Sequence, residues 1–440
     1  MKSSAYNIFI DNPETGETIL YNTLYGSTIA CTQEETATLR TILDQASTPG
    51  SHPHELLDIL IKQKYLIPAD LDELTIVEER KRAGIEDTNR LDVILMPTQE
   101  CNFACSYCYE NNHPSPMSDE TEDNIKKWLT TEMPKHKVTM LLWFGGEPLI
   151  AFRRILSLTT HAANVADKTG VTLIRHMTTN GYLFDKGKID GLLGVGIFDY
   201  QITMDGPPEV HNKLRCLKNG GETFDRIHLN VIDLARSDSR VKISLRVNFN
   251  HANIHDIPKL LEMFPEDIRN QLRIVYEPIF GDCTLSAVDN LPGGEISEAL
   301  ADYYVLAKEQ GYDVVHGLSG IYPGKLVYCY AERQSQYVIN YNGDVFKCSV
   351  TDFTTEKRVG YIGNEGIFIK NEVEWGKWAG SDYFDESCYS CVYLPLCMGG
   401  CRKVRLAGKG TGSSCSLVPT NASYLLKKLA FGGAEGLLGQ

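Results

Sequence analysis

No apolar stretch of the 440-residue chain reaches the roughly 18 residues that a membrane span requires. Residues 1–12 hold a single lysine and no apolar run behind it, so no secretory signal is expected and the chain reads as cytoplasmic. Long basic runs are also missing. With 43 Lys and Arg against 57 Asp and Glu the net charge is -14, which argues against a nucleic-acid backbone as the main partner. No segment has the composition of a disordered tract, and at about 150 residues per domain the length suggests two or three domains. Cysteine, by contrast, is plentiful. A compartment that keeps thiols reduced makes disulfides a poor use for 13 cysteines, and their clustered spacing points to metal.

Cys101, Cys105 and Cys108 fall within eight residues, directly after the apolar run 91–96. Three thiolates on a four-iron cubane leave one iron with a coordination position open to a small molecule, the mark of a reactive centre rather than a structural one.

Pattern divides the chain into three parts. In residues 1–89, two apolar runs, 6–10 and 18–24, flank a turn-rich stretch and read as a hairpin. Leu39, Ile42 and Leu43, then Leu56, Leu57, Leu60 and Ile61, recur at helical spacing, so two helices are expected. The part reads as a small winged-helix-like domain, serving either peptide recognition or packing. Residues 90–290 alternate strand and helix, with strands expected at 91–96, 138–144, 171–177, 200–204, 242–248 and 272–276. Six such units imply a parallel α/β sheet, a partial (β/α)6 barrel, in which chemistry gathers at the carboxyl ends of the strands. The cysteine triplet, Gly145-Gly146-Glu147-Pro148, Thr179-Asn180-Gly181 and Asp205-Gly206 each fall there, after successive strands. Residues 291–440 carry the remaining cysteine clusters.

The C-x3-C-x2-C loop after a first strand, followed by Gly-Gly-Glu-Pro after the second, resembles the radical S-adenosylmethionine (radical SAM) superfamily. The resemblance implies that the open iron takes the amino and carboxylate groups of S-adenosylmethionine, and that reductive cleavage of the sulfonium yields a 5′-deoxyadenosyl radical that removes hydrogen from a substrate. It also implies cofactor contacts: Gly145, Gly146 and Glu147 around the methionine moiety, Asn180 and Thr203 near the ribose, Arg246 toward the carboxylate, and Tyr107 next to the adenine. For Asn180, Thr203 and Arg246 a plain strand-end polar role stands as the alternative. Asp205-Gly206-Pro207-Pro208-Glu209-Val210-His211, with Arg215 beyond it, resembles a run of peptide-modifying members, although Asp-Gly-Pro is by itself a turn.

Downstream, Cys329 is followed by 13 residues to Gly343 and four more to Cys348, then by Cys388-x2-Cys391-x5-Cys397-x3-Cys401 and Cys415. This series is similar to the SPASM extension of peptide maturases, which carries two auxiliary 4Fe-4S clusters. By that resemblance Cys329, Cys348 and Cys401 hold the first, and Cys388, Cys391, Cys397 and Cys415 the second; a zinc ribbon is the alternative for paired C-x2-C spacing. Residues 330–347 contain no cysteine, so the first auxiliary cluster lacks one thiolate, which suits thioether formation on a peptide cysteine. Cys31, Cys216 and Cys283 stay outside every motif.

The resemblance thus implies an oxidoreductase that modifies a ribosomally synthesised peptide or protein, with a precursor as partner and flavodoxin or ferredoxin as electron donor. No membrane or nucleic-acid partner is expected. Two other readings remain. One is an anaerobic sulfatase-maturing enzyme that forms formylglycine, against which count the 100 residues before the triplet and Ser349 in place of an aspartate after Cys348. The other is a non-catalytic iron-sulfur electron-transfer protein, against which the intact Gly145-Gly146-Glu147-Pro148 counts.

Overall fold

The computed structural model describes residues 1–12, 15–45, 54–279, 293–314, 323–380, 383–407 and 426–427. The expected N-terminal hairpin is present as β2 (Asn7–Asp11) and β3 (Thr18–Asn22), paired antiparallel, and it gains a third strand, β4 (Thr28–Cys31). A short β1 (Lys2–Ser3) pairs with β5 (Leu66–Ile67). Helix α1 (Gln33–Asp44) begins at a capping box in which Thr32 and Glu35 satisfy each other's backbone N–H groups. It packs Leu39, Ile42 and Leu43 with Leu60 of α2 (His54–Lys62) against Leu20 and Cys31. Cys31 is therefore one of the small apolar residues of this core. A third helix, α3 (Glu73–Glu86), is not foreshadowed by periodicity, because its buried face mixes Val77 and Ile85 with Lys81 and Gly84.

The six expected parallel strands follow as β6 (Arg90–Leu95), β7 (Val138–Trp143), β8 (Thr172–Thr179), β9 (Asp199–Thr203), β10 (Lys242–Phe249) and β11 (Leu272–Pro278), each pairing with the next. Leu91 to Leu95 are all buried, as expected of a strand covered on both faces. Between the strands run α4 (Asp119–Glu132), α5 (Phe152–Thr169), α6 (Lys186–Gly194), α7 (Pro208–Leu214), α8 (Phe224–Ser237) and α9 (Ile257–Glu262), with α10 (Gly293–Glu309) beyond β11. Helix α4 starts at the Ser118 cap and buries Ile125, Trp128 and Leu129; α5 ends where Gly170 turns left-handed at φ 75°.

The sheet does not stop at β6. Strand β12 (Gln336–Ile339) pairs parallel with β6, and β13 (Asp344–Phe346), β14 (Gly360–Ile362) and β15 (Phe368–Lys370) continue antiparallel. Among the described residues the result is one open ten-stranded sheet with β11 and β15 at its edges. The strands of three or four residues in β12 to β15 are too short for a period of two to reveal, which is why the sequence pattern does not show the extension.

Candidate active site

The loop after β6 carries the cysteine triplet and is braced by hydrogen bonds of its own. Ser115 Oγ accepts from the Gln99 N–H at 2.6 Å, and Thr98 Oγ1 accepts from the Glu100 N–H at 3.0 Å, so the loop closes on its own base. Its outer arm is stapled to the end of α7 and the residues beyond it: Ala104 N–H donates to the Cys216 carbonyl at 2.9 Å, Ser106 N–H to the Leu214 carbonyl at 3.0 Å, and Lys218 N–H to the Asn102 carbonyl at 3.1 Å. Phe103, 1% exposed, is the apolar anchor beneath. Along the loop Cys101 is buried, Cys105 half-buried and Cys108 exposed.

The Gly145-Gly146 turn after β7 packs directly on this loop. Gly145 has φ +119°, and a Cβ there would lie 2.4 Å from the Thr98 carbonyl oxygen; a Cβ on Gly146 would lie 2.4 Å from the carbonyl oxygens of both Gln99 and Glu100. The two glycines are required by loop-to-loop contact inside the protein, whatever ligand they also meet. Glu147, fully buried, accepts from the Leu149 N–H at 2.9 Å, from Thr179 Oγ1 at 2.8 Å and from the Asn180 N–H at 2.7 Å. Burial still holds its carboxyl above the ordinary range against these donors. The carboxylate thereby fixes Asn180, whose Nδ2 donates to Asn102 Oδ1 at 2.8 Å and approaches Cys101 Sγ at 3.8 Å. Thr203 ends β9 and is the register partner of Arg246 within β10, whose Nε donates to Asn248 Oδ1 at 2.8 Å.

The Asp205 to Arg215 run forms a buried network beneath the cysteine loop. Tyr107 donates its hydroxyl to Asp205 and accepts from Arg215 Nη1 at 2.8 Å and Asn248 Nδ2 at 3.0 Å. Asp205 Oδ1 accepts from the Asn248 N–H at 2.8 Å. Burial raises the Asp205 carboxyl, with Arg215 and the hydrogen bonds from Tyr107 and Asn248 opposing. His211 accepts the Asp205 N–H on Nδ1 at 3.2 Å, and burial beside Arg215 keeps its pKa far below the ordinary value, so its proton sits on Nε2. As a bare pattern Asp-Gly-Pro reads as a turn. The positional consequence, that its acid and the arginine ten residues on hold Tyr107 between two cluster-loop cysteines, depends on contacts across 98 and 108 residues. Asn248 has no sequence signal at all.

In the C-terminal part the structure brings Cys329, Cys348 and Cys401 into one another's field. Burial, with Cys401 and Cys348 adding to it, pushes the Cys329 thiol up to about 12. Cys388 and Cys391 pack with Tyr6, Val77, Phe384, Leu394 and Met398, and Cys397 is buried one residue before Met398. Cys415 and Cys283 lie outside the described residues. Cys216, given no role by pattern, stands against the cysteine loop, its carbonyl bonded to Ala104.

Among the described residues no three His, Cys, Asp or Glu side chains converge on a position for a single metal ion. A cubane takes its thiolates on separate irons and so asks for a wider set of donors. The donor chemistry fits such a group. Burial pushes the Cys101 thiol up to about 12, with Glu147, Cys105 and Cys108 adding to the rise and the Phe103 N–H opposing it. A metal must displace this proton before the thiolate ligates it.

The open α/β sheet thus brings a cysteine loop and a glycine turn together at its carboxyl end. The radical SAM superfamily model matches residues 95–264, and the chain carries a radical SAM domain, the class that works with S-adenosylmethionine and a 4Fe-4S cluster. The chain is 23% identical over 378 residues to a PqqA peptide cyclase of Bradyrhizobium diazoefficiens, covering 79% of this chain and 90% of that one. With a cysteine-type anaerobic sulfatase-maturating enzyme of Clostridium perfringens it shares 24% over 348 residues, 72% and 90% of the two chains. A match to an Fe-coproporphyrin III synthase of Methanosarcina barkeri, 26% identical, spans 40% of this chain and 41% of that protein. Two solved structures share the fold. One is native anSMEcpe with bound AdoMet and Kp18Cys peptide, at TM-score 0.60 and 20% identity over 77% and 97% of the chains. The other is Streptococcus suis SuiB bound to precursor peptide SuiA, at TM-score 0.54 and 14% identity over 95% and 99%.

Proposed function

We propose that the chain is a radical SAM peptide maturase that oxidatively modifies a side chain or Cα of a ribosomally made precursor. The observation that carries this reading is the cysteine loop, locked on one side by Gly145, Gly146 and Glu147 and on the other by the Tyr107–Asp205–Arg215 network. Similarity over three quarters of the chain to a peptide cyclase supports a peptide as substrate. Bound together, S-adenosylmethionine and the cluster supply a 5′-deoxyadenosyl radical for hydrogen abstraction. This chain's residues bind and orient: Cys101, Cys105 and Cys108 hold the cluster, Gly145 to Glu147 and Arg246 hold the methionine end, Asn180 and Thr203 the ribose, and the Tyr107 ring the adenine. Asn180, anchored by Glu147 on one side and meeting Asn102 on the other, keeps the ribose site in register with the cluster loop.

Cys329, Cys348 and Cys401 hold a first auxiliary cluster and Cys388, Cys391, Cys397 and Cys415 a second, making three 4Fe-4S clusters in all. Clusters held there would supply an acceptor for the electron that an oxidative bond formation releases. Residues 1–89 dock the precursor, 90–290 carry the radical chemistry and 291–440 the auxiliary clusters; flavodoxin or ferredoxin in the cytoplasm supplies electrons. A sulfatase-maturing activity is the second reading, favoured by similarity to the C. perfringens enzyme. Ser349 counts against it, since its hydroxyl is held by the Tyr330 hydroxyl at 2.7 Å and offers no carboxylate.

The test is modification of a short peptide encoded in the neighbourhood of the gene, where one is found, by anaerobically reconstituted enzyme with reductant and S-adenosylmethionine, read by mass spectrometry. Deleting residues 1–72 should leave cleavage of S-adenosylmethionine and impair precursor modification. A deletion reaching residue 82 is unsuitable, because Lys81 is buried against the C-terminal part. Unchanged precursor affinity after the shorter deletion would make the N-terminal domain a packing cap.

A further inference from the structure

Helix α3 sends one side chain into the cysteine-bearing C-terminal part. Lys81 is 0% exposed, and its ammonium lies 2.9 Å from Glu332, whose side chain is 2% exposed. It also donates to the Met398 carbonyl at 2.6 Å and stands 5.2 Å from the Phe384 ring centroid. Arg405, its side chain 4% exposed, pairs with the same carboxylate and donates to the Tyr383 carbonyl. A lysine, a glutamate and an arginine thus share one dry site with two positive charges and one negative.

Each partner is tied to a cysteine. Glu332 N–H donates to the Cys329 carbonyl at 3.2 Å, and Arg405 N–H donates to the Cys401 carbonyl at 3.2 Å. Met398 follows Cys397 and takes a left-handed φ of 48°, which turns its carbonyl out of the helix Leu394–Cys397. A single ammonium therefore touches, at one remove, three cysteine-bearing segments. Burying a surplus charge is costly unless an opposite charge lies near. A thiolate-ligated four-iron cluster is anionic, and a fixed cation in low dielectric favours its more negative, reduced form.

We propose that Lys81 is a positioning residue which pins the N-terminal domain to the auxiliary-cluster lobe and whose charge raises the reduction potential of the cluster held by Cys329, Cys348 and Cys401. The inference rests on the assignment of that cluster. Its anchor on the other side is also fixed. At the start of α3, Glu73 accepts from Ser4 Oγ at 2.7 Å and from the Ala5 N–H at 2.8 Å, so the helix is a strut between the N-terminal strands and the cysteine-bearing part.

The experiment uses full-length, anaerobically reconstituted protein carrying Cys101→Ala, Cys105→Ala and Cys108→Ala, so that the auxiliary signals are seen alone by redox titration with electron paramagnetic resonance. Lys81→Met leaves Glu332 and Arg405 as a neutral pair and should keep the iron content while moving the signal that Cys348→Ala removes to lower potential. Lys81→Arg should restore it, and Arg82→Met, on the exposed side of the same helix, should not move it. An unshifted midpoint in Lys81→Met with full iron content would overturn the proposal. If Lys81→Met loses iron, the restoring Lys81→Arg variant decides: a midpoint at the wild-type value supports the role of charge, and a shifted one refutes it. A wild-type background that binds no iron beyond the triplet's share refutes instead the auxiliary-cluster assignment, and the two failures are told apart by iron analysis alone.

Discussion

The loop of Cys101, Cys105 and Cys108 hangs from the end of a regular parallel sheet and is held by backbone hydrogen bonds from residues 214–218 and by side chains from three neighbouring strand ends. Of the cysteines from 329 to 401, Cys348 follows β13 of the same sheet, whereas Cys329, Cys388, Cys391, Cys397 and Cys401 lie in or beside helical segments of three to five residues, and the segments of Cys329, Cys397 and Cys401 meet at one buried ionic cluster. A sheet supplies its own hydrogen bonds, so the first site is shaped by the scaffold. Short irregular segments have little cooperative order of their own, so the second region depends on a few charges and on whatever its thiols bind.

That contrast can be broken from the sheet side first. Arg215→Ala removes the cation that faces Asp205 and Tyr107 in a buried site, and a stranded buried charge of this kind costs about 3–5 kcal/mol. Urea unfolding of the cluster-free protein should show a loss of that size, while the neutral-pair variant Lys81→Met should cost less. Equal losses would mean that both regions rely on ions alike.

Gly146→Ala tests whether the two strand-end loops are jammed together. Its Cβ would meet two carbonyl oxygens at 2.4 Å, and backbone displacement of this sort costs about 1–3 kcal/mol. Thermal unfolding of the metal-free variant should reveal it; an unchanged midpoint would show that the loops have room, leaving the glycine to a ligand alone.

How far this could be read from sequence differs between the regions for the same physical reason. The six parallel strands, the triplet and the glycine turn repeat in order along the chain, and local spacing carries them. The N-terminal hairpin was legible from its two apolar runs, whereas β4 was too short to notice. Asp205, His211 and Arg215 stood out as a run, but their joint grip on Tyr107 is a contact between distant segments. Lys81 gave no signal, since a lysine on a mostly polar helix normally marks the solvated face. The continuation of the sheet through β12 also rests on pairing at a distance, with residues 336–339 lying beside 92–95.

A smaller effect concerns the helical layer away from either site. Glu122 is 3% exposed, and although burial pushes its carboxyl up, hydrogen bonds from Lys126, Ser157 and Arg154 outweigh this and hold it at about 2. Its folded pKa lies below the ordinary 4.5, so its contribution is complete above about pH 4.5 and is lost as the pH falls toward 2. Glu122→Gln should cost about 1–2 kcal/mol at neutral pH and flatten the acid limb of the stability profile. A limb unchanged in the variant would assign acid sensitivity to other carboxylates.

The central claim is that Cys101, Cys105 and Cys108 form the reactive centre, and production of 5′-deoxyadenosine tests it most directly. Reconstituted protein with dithionite and S-adenosylmethionine under anaerobic conditions should produce it, and the triple alanine variant should bind about four fewer irons and produce none. Continued 5′-deoxyadenosine formation by that variant would contradict the account.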